Sequence, residues 1–260
     1  MSKLIGILLS LVLCAPVLVY AGALTNGTNP TGATSFSTAS ITPTANACVL
    51  LSLASRVANI AGGPADPSSI TGNGLTWVKV VSRSNAAVDA TDLASSRIWI
   101  YRAMGAAPTA GAITFTWAAS QTHAAWDVTE YTSADTSGTN CSGALVQSAA
   151  NNSIIQGGTA SPATVTMGSA PGSASNTTHA FSRYAFNTAM TPGTNFTQLS
   201  QNGNATDGAR YLAENGLNLQ TATVNNAGTS AWTIIAVEVK AAVAASGCTG
   251  ALLLMGVGGC

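Results

Sequence analysis

The sequence predicts an all-β protein, a two-sheet antiparallel β-sandwich that is jelly-roll-like and has about twelve strands. Short runs rich in β-branched and aromatic residues recur between clusters of Gly, Pro, Asn and Ser. Several of these runs alternate apolar and polar residues, and helical periodicity is nearly absent. The chain has nine basic and nine acidic residues among 260, although 47% of its residues are hydrophobic. Because a cytosolic domain usually has about 25% charged residues, this composition is typical of a secreted or particle-surface β protein.

The amino terminus has the pattern of an export signal. A positively charged start precedes an apolar stretch over residues 4–13, and small residues follow up to Ala21. Residues 1–21 are therefore predicted to be a signal peptide. The alternative is an uncleaved anchor, because residues 4–24 are almost long enough to cross a bilayer. Pro16 favours cleavage, and only the anchor would place the chain in a membrane.

The body of the chain divides into twelve expected strands, each bounded by turn residues. In order they cover residues 34–40, 48–55, 75–82, 97–104, 112–117, 124–131, 163–167, 179–184, 196–200, 209–214, 219–224 and 232–240. Gly, Asn and Pro occupy the connections, for example at residues 71–74, where positive φ angles are tolerated.

The hydrophobic pattern indicates how these strands are covered. In residues 97–102 the side chains of Ile98 and Ile100 share one face, and those of Trp99 and Tyr101 share the other, as a period of two requires. One face of such a strand is expected to pack inward and the other to meet water. Residues 48–53 and 232–237 are more continuously apolar and are expected to be central strands covered on both sides.

The expected organisation is a single β-sandwich domain over residues 22–240, followed by an apolar tail over residues 241–260. Composition and charge do not shift enough to mark a second domain. No exact internal repeat is visible, and the two halves could each supply strands to both sheets in a jelly-roll arrangement. An immunoglobulin-type sandwich is disfavoured because it needs only about seven strands and roughly 100 residues.

Four cysteines remain after removal of the leader, and an even number in an exported chain predicts disulfides. We favour a bond between Cys48 and Cys141 and a second between Cys248 and Cys260. The alternative is that Cys260, which follows two glycines, bonds to another subunit. Metal binding is disfavoured because the chain has no C-x-x-C pair and both histidines are distant in sequence from every cysteine.

The tail has a second informative feature, the apolar run over residues 252–257. It is too short to cross a bilayer. Such a segment either folds back as an edge strand or is donated to a neighbouring subunit, because strand addition satisfies exposed backbone groups. Both alternatives remain open, and the second would make assembly the function.

Six segments of strand and turn residues stand out: SFSTASITPTAN (35–46), TGNGLTWVKV (71–80), IYRAMGAAPTAGAITFTW (100–117), EYTSADTSGTN (130–140), TPGTNFTQL (191–199) and WTIIAVEVK (232–240). Together they resemble a group of uncharacterised β-sandwich proteins encoded by bacteriophages and environmental bacteria. The resemblance covers roughly residues 34–240, and its motifs are strand and turn motifs. It implies a jelly-roll-like sandwich on a virion or cell surface, and no catalytic residue carries over from it.

Few residues qualify as catalytic candidates. Asp127 and Glu130 could form a glycosidase pair, but residues three apart on a strand point to opposite faces, so Glu214 or Glu238 would have to supply the partner. Pairing with the cations Arg97, Arg102 or Lys240 is the favoured role of the two carboxylates.

Histidine and calcium chemistry are also disfavoured. His123 and His179 could serve as general bases, but the chain has no G-x-S-x-G elbow. Calcium could be held by residues 89–92 or 133–137, where turns with Asx hydrogen bonds are favoured instead.

These observations predict a non-enzymatic structural or adhesive protein of a virion or extracellular assembly, which self-associates or binds neighbouring subunits and needs no cofactor. The rival hypothesis is a lectin-like secreted module in which Trp99 and Tyr101, which share a face with arginine, contact a glycan. A net charge of zero without basic clusters gives no reason to expect nucleic acid as a partner.

Overall fold

A computed structural model describes residues 19–58, 63–85, 94–153, 162–185, 187–204, 208–226 and 231–243. The described chain is all-β and contains sixteen strands. The strands are β1 (Tyr20–Asn29), β2 (Ala33–Ser37), β3 (Cys48–Ala58), β4 (Ser69–Thr71), β5 (Val78–Asn85), β6 (Ala94–Ala103), β7 (Thr114–Gln121), β8 (His123–Thr132), β9 (Leu145–Ser153), β10 (Ala163–Thr166), β11 (Thr177–Tyr184), β12 (Met190–Thr191), β13 (Phe196–Asn204), β14 (Ala209–Leu217), β15 (Thr221–Asn226) and β16 (Trp232–Val239).

The strands form four antiparallel sheets. Two five-stranded sheets, here called the inner sheets, have the orders β1-β8-β3-β6-β5 and β9-β16-β11-β14-β13. Two three-stranded sheets, the outer sheets, have the orders β2-β7-β4 and β10-β15-β12. The inner sheets face each other, and each outer sheet covers the far side of one inner sheet.

The second half of the chain repeats the topology of the first. Adding eight to every strand number converts both sheets of β1–β8 into both sheets of β9–β16. We call these halves the first and second repeats. Each repeat is an eight-stranded jelly roll, because its first, eighth, third and sixth strands are neighbours in one sheet and its second, seventh and fourth are neighbours in the other.

Strand register supports this equivalence at the level of single residues. Residues 74–85 (GLTWVKVVSRSN) and 193–204 (GTNFTQLSQNGN) align without a gap. The register of β5 against β6 shifts between Lys79 and Val81, and that of β13 against β14 shifts between Gln198 and Ser200, which are the aligned positions. A bulge at the same place in both repeats indicates common construction, since bulges are specific features of a fold.

A glutamate on the last strand of each repeat makes the same contact. Glu130 and Glu238 each lie opposite the second residue of the third strand of their repeat. Glu130 accepts a hydrogen bond from the backbone N–H of Thr44 at 2.8 Å, and Glu238 accepts one from that of Gly172 at 2.8 Å. Both carboxylates therefore tie the loop that enters the third strand to the last strand.

The packing of the repeats has approximate two-fold symmetry. β1 packs against β13, and β5 packs against β9. Because β9 is the equivalent of β1 and β13 is the equivalent of β5, these are the same contact seen from each repeat, as an isologous interface requires. The residues that immediately follow β8 and β16 also pair with each other, through the bridge between Ala134 and Ala241.

Three buried clusters occupy the three spaces between the four layers. The central core lies between the inner sheets and includes Leu50, Ile98, Ile100, Phe181, Tyr211, Ile235 and Val237. The two outer cores lie between an inner and an outer sheet. Every residue of β11 and β16 is buried, since both faces of these strands are covered. The expectation that residues 48–53 and 232–237 form central strands is confirmed.

The predicted all-β antiparallel sandwich with jelly-roll-like connections is confirmed, with more strands than expected. All twelve predicted strands correspond to strands of the structure, and β1, β4, β9 and β12 are additional. The two halves do not share their sheets, because each repeat forms its own inner and outer sheet. The predicted turn at residues 71–74 is also confirmed, with φ angles of 57° at Asn73 and 64° at Gly74.

Of the amino-terminal region, the structure describes residues from 19 onwards. β1 begins at Tyr20, and Val19 is buried in the central core. Signal-peptide cleavage after Ala21 stays a prediction, and it would remove the first two residues of β1. No helix that could cross a membrane occurs in the described part of the chain.

Candidate functional site

The polar side chains that could support chemistry lie mainly inside the protein, between the inner sheets. His179 on β11 is completely buried and bridges the two repeats. Its Nε2 lies 2.8 Å from Oγ of Ser52 on β3, and its Nδ1 lies 2.8 Å from the hydroxyl of Tyr131 on β8. A neutral imidazole has one donor and one acceptor nitrogen, so one hydroxyl donates to the ring and the other accepts from it.

The environment of His179 keeps its imidazole uncharged. Burial lowers the pKa of His179 to about 3, because desolvation disfavours the imidazolium ion. Ser52 and His179 resemble a nucleophile and base by their contact, but Ser52, His179 and Tyr131 are all fully buried. No substrate atom can reach the Ser52 hydroxyl in this packing, and the three side chains instead join the inner sheets.

His123 makes a second polar contact across the same interface. Its Nε2 lies 2.7 Å from the hydroxyl of Tyr211 on β14. Nearby on the first repeat, the hydroxyl of Ser55 donates to Oε1 of Gln121 at 2.9 Å and is also 2.9 Å from the backbone oxygen of His123. Both histidines of the chain therefore hold repeat to repeat, and the structure does not bring them together.

Asp127 and Glu130 point to opposite faces of β8, as the sequence predicted. Asp127 is fully buried toward the central core. Burial raises its pKa to about 6, while hydrogen bonds from Ser200 and Thr129 oppose that rise. Glu130 accepts hydrogen bonds from the backbone and hydroxyl of Thr44. The two carboxylates cannot converge on one substrate.

The cations expected to pair with Asp127 and Glu130 have other partners, so that prediction is wrong. Arg97 pairs with Asp66, Lys240 pairs with Asp135, and Arg102 donates to backbone carbonyls. In the case of Asp127 the reason is its position between the inner sheets, where no arginine or lysine of the predicted set reaches it.

Glu214 and Glu238 are also buried and separate. Glu238 accepts hydrogen bonds from Gln147, Asn176 and the backbone of Gly172. Glu214 accepts one from the backbone N–H of Gly193 at 3.1 Å. Burial raises the pKa of Glu214 to about 8, against the lowering effect of the Gly193 hydrogen bond, so this carboxyl is protonated at neutral pH.

Glu214 gives a pH-dependence prediction. The folded state holds its proton up to about pH 8, whereas the reference value is 4.5. The stability associated with this proton is full below pH 4.5 and is lost as the pH rises through 8. At about 1.4 kcal/mol per pKa unit, the loss amounts to several kcal/mol.

The Glu214→Gln variant should lack this loss. We expect it to gain stability relative to the parent between pH 5 and pH 9, as measured by urea unfolding at both values. Parallel pH profiles for parent and variant would show that Glu214 is ionised in the folded protein.

Trp99 and Tyr101, the predicted glycan contacts, are buried. They share a face of β6, as predicted, but the first outer sheet covers that face. Trp99 is 0% exposed, and its indole N–H donates to Asp66 at 2.8 Å; Tyr101 is 7% exposed. Neither ring has a free face for stacking on a sugar, which corrects the expectation that this side of the strand meets water.

Of the two predicted disulfides, the one between Cys48 and Cys141 is present. Cys48 and Cys141 form a disulfide with a Cα–Cα distance of 5.3 Å, and both residues belong to the central core. Cys48 is the first residue of β3, and Cys141 precedes β9, so the bond ties the connection between the repeats to the first repeat. Cys248, Cys260 and the apolar run 252–257 lie outside the described residues.

Of the two stretches considered for calcium, residues 133–137 belong to the described part of the chain. In the stretch 133–137, Asp135 accepts a hydrogen bond from the backbone N–H of Ser137 at 2.7 Å, which is the Asx turn that the sequence favoured. Its pKa is lowered to about 2 by a hydrogen bond from Lys240. Residues 89–92 lie outside the described residues. Within the described ranges no group of three His, Cys, Asp or Glu side chains could hold a metal ion.

A groove of about 620 Å³ lies at one end of the second repeat. Its walls are the start of β9, the loop before β11 and the segment after β16. Val146 and Val243, which are 50% and 81% exposed, line it, so the groove is mainly apolar. The sequence does not predict this groove, because its walls are far apart along the chain.

Taken together, the buried polar groups serve folding, and the groove offers a place for an apolar segment. Comparison of the chain with family models, with curated proteins and with solved structures found no match.

Proposed function

We propose that this protein is a non-enzymatic structural or adhesive subunit that is displayed outside the cytoplasm, on a virion or an extracellular assembly. The observation that carries this proposal is that the reactive side chains are buried and make contacts inside the protein. His123, His179, Asp127, Glu214 and Glu238 are all buried, and their contacts join strands, loops or repeats; that of Asp127 is with Ser200 on β13. The protein therefore presents shape and neutral polar groups to its surroundings.

The outer sheets support this proposal through the chemistry of their exposed faces. In the first repeat Ser35 bonds to Thr116 at 3.1 Å and Ser37 bonds to Thr114 at 2.8 Å, through their hydroxyls. In the second repeat the hydroxyls of Thr166 and Thr221 are 3.0 Å apart. Hydroxyl pairs of this kind make a rigid, uncharged surface, and low charge is a feature of the cores of protein–protein interfaces.

The disulfide and the composition support a location outside the cytoplasm. Disulfides persist mainly in oxidising compartments, and Cys48–Cys141 is built into the central core. The predicted signal peptide over residues 1–21 agrees with this location. Export would bring the protein to a surface, where self-association or attachment to neighbouring subunits is its proposed role.

Oligomeric state under oxidising and reducing conditions tests the proposal. We expect multimers by light scattering and on non-reducing gels. If Cys260 bonds to another subunit instead of to Cys248, the Cys260→Ser variant should lose the covalent part. Mass spectrometry of purified virions or extracellular assemblies should then detect the protein. A strictly monomeric protein that is absent from such particles would contradict the proposal.

A further inference from the structure

The groove of the second repeat corresponds to a position that is covered in the first repeat. After β8 the chain folds back over the end of the first inner sheet, where Cys141 bonds to Cys48. On the neighbouring strand β6, Arg102 donates to the carbonyl oxygens of Thr139 at 3.0 Å and Asn140 at 2.8 Å. Residues 136–143 therefore form a cover that is anchored on two strands.

Among the described residues, no segment is anchored on the equivalent strands of the second repeat as residues 136–143 are on β3 and β6. Only the start of the tail reaches this end, where the backbone N–H of Ala241 donates to Asn176, and Asn176 and Thr177 are each 2% exposed. Thr177 on β11 is the equivalent of Cys48 on β3. Cys48 pairs with Tyr131, the residue after Glu130 on β8, and Thr177 pairs with Val239, the residue after Glu238 on β16. Asn176, the residue before Thr177, is part of the groove wall.

The end of β14 gives the same indication. Leu217 is 48% exposed, whereas its equivalent Met104 packs against the central core. The exposure of Leu217 indicates that the second repeat lacks, among the described residues, part of the cover that the first repeat has.

The sequence after β16 repeats the sequence of the cover. Glu130 is followed by Cys-Ser-Gly-Ala-Leu at residues 141–145, and its equivalent Glu238 is followed by Cys-Thr-Gly-Ala-Leu at residues 248–252. The spacing from glutamate to cysteine is 141 − 130 = 11 in the first case and 248 − 238 = 10 in the second. The tail thus repeats residues 141–145, three of which belong to the cover of the first repeat.

We propose that residues 244–251 lie in the groove of their own chain and place Cys248 beside Thr177. Val243 is already at the groove, so the tail starts there. The five residues from Val243 to Cys248 reach at most ~18 Å when extended, which favours the adjacent groove over a distant site. Residues 244–251 are small, and they carry no charge. They match a groove whose lining combines Val146 and Val243 with small residues and a single charged side chain, that of Lys240.

A disulfide introduced at the equivalent position tests this proposal in the full chain. The Thr177→Cys substitution, made together with Cys260→Ser, should produce an intrachain bond between position 177 and Cys248, identified by peptide mapping without reduction. Thr178→Cys is the matched control, because Thr178 is equally buried but its hydroxyl bonds to the carbonyl of Leu219 on the opposite face. Absence of the bond at 177, or a bond between two chains, would overturn the proposal.

A second measurement applies if the Thr177 variant does not fold. Ser173 in the groove wall and Thr194 outside it are both exposed in the described structure. In a chain with Cys248→Ser and Cys260→Ser, we expect the thiol of Ser173→Cys to be alkylated at least tenfold more slowly than that of Thr194→Cys. Equal rates would show that the tail does not occupy the groove. Neither readout depends on the proposed assembly function.

Discussion

Loss of the Cys48–Cys141 bond is expected to lower the free energy of unfolding by about 4–5 kcal/mol. The two cysteines are 93 residues apart in sequence, and a cross-link that closes a loop of about 100 residues restricts the unfolded chain by about that amount. Both side chains are also buried in the central core. The measurement is urea unfolding of the Cys48→Ala, Cys141→Ala variant against the parent protein.

The matched control for this prediction removes the two cysteines of the carboxyl-terminal tail. Cys248→Ser with Cys260→Ser should change the unfolding free energy much less. A change of less than about 1 kcal/mol on loss of Cys48 and Cys141 would contradict the role given to this bond.

Replacing His179 with leucine is expected to destabilise the protein by about 2–6 kcal/mol. The substitution leaves the hydroxyls of Ser52 and Tyr131 without the imidazole between the inner sheets, and each buried polar group that loses its partner costs roughly 1–3 kcal/mol. The measurement is the unfolding free energy at pH 7. Combining His179→Leu with Ser52→Ala and Tyr131→Phe should recover much of the loss, because replacing all partners by apolar groups is nearly neutral.

The same histidine should make the protein sensitive to acid. Its folded-state pKa of about 3 lies below the reference value of 6.5. The stability it contributes is therefore full above pH 6.5 and is lost as the pH falls through 3, where the buried ring must take up a proton. The parent should lose stability relative to the triple variant between pH 6.5 and 4. An equal loss in both proteins would show that another group controls the acid response.

The sequence predicted the strands that have an alternating or continuous apolar pattern, and it did not predict the strands that lack one. β1 (YAGALTNGTN) and β9 (LVQSAANNS) are edge strands of small and polar residues, and β4 and β12 have three and two residues. Because β9 is the equivalent of β1 and β12 is the equivalent of β4, the same two strands were missed in each repeat. The small and polar residues of β1 and β9 do not alternate with apolar ones, so their sequences resemble those of loops.

Local alternation predicted which residues share a face but not what covers that face. Trp99 and Tyr101 do lie together on β6, yet β2, β4 and β7 supply the sheet above them. The contact of His179 with Ser52 joins residues 127 positions apart. Such contacts follow from the jelly-roll connections, which periodicity within one strand cannot reveal.

A weak sequence signal for the duplication does exist. The aligned segments 74–85 and 193–204 share a leading glycine and an aromatic residue, and Cys-Ser-Gly-Ala-Leu at 141–145 resembles Cys-Thr-Gly-Ala-Leu at 248–252. The repeats have otherwise diverged, and their cores differ in chemistry. Tyr101 of the first repeat, for example, is replaced by Glu214 at the equivalent position of β14, as the strand register shows.

The symmetric packing of two equivalent jelly rolls is tested most directly by thiol cross-linking at both edges of the inner sheets. Arg83 on β5 donates to Asn152 on β9 at 2.8 Å, and the equivalent positions at the other edge are Asn202 on β13 and Thr28 on β1. We expect a short bifunctional reagent to link cysteines placed at 83 and 152, and equally at 28 and 202, within one chain. Cysteines at 28 and 83 should not be linked, since four strand spacings of about 4.8 Å separate β1 from β5 in one sheet. Linkage at one edge alone, or at neither, would contradict the two-fold arrangement.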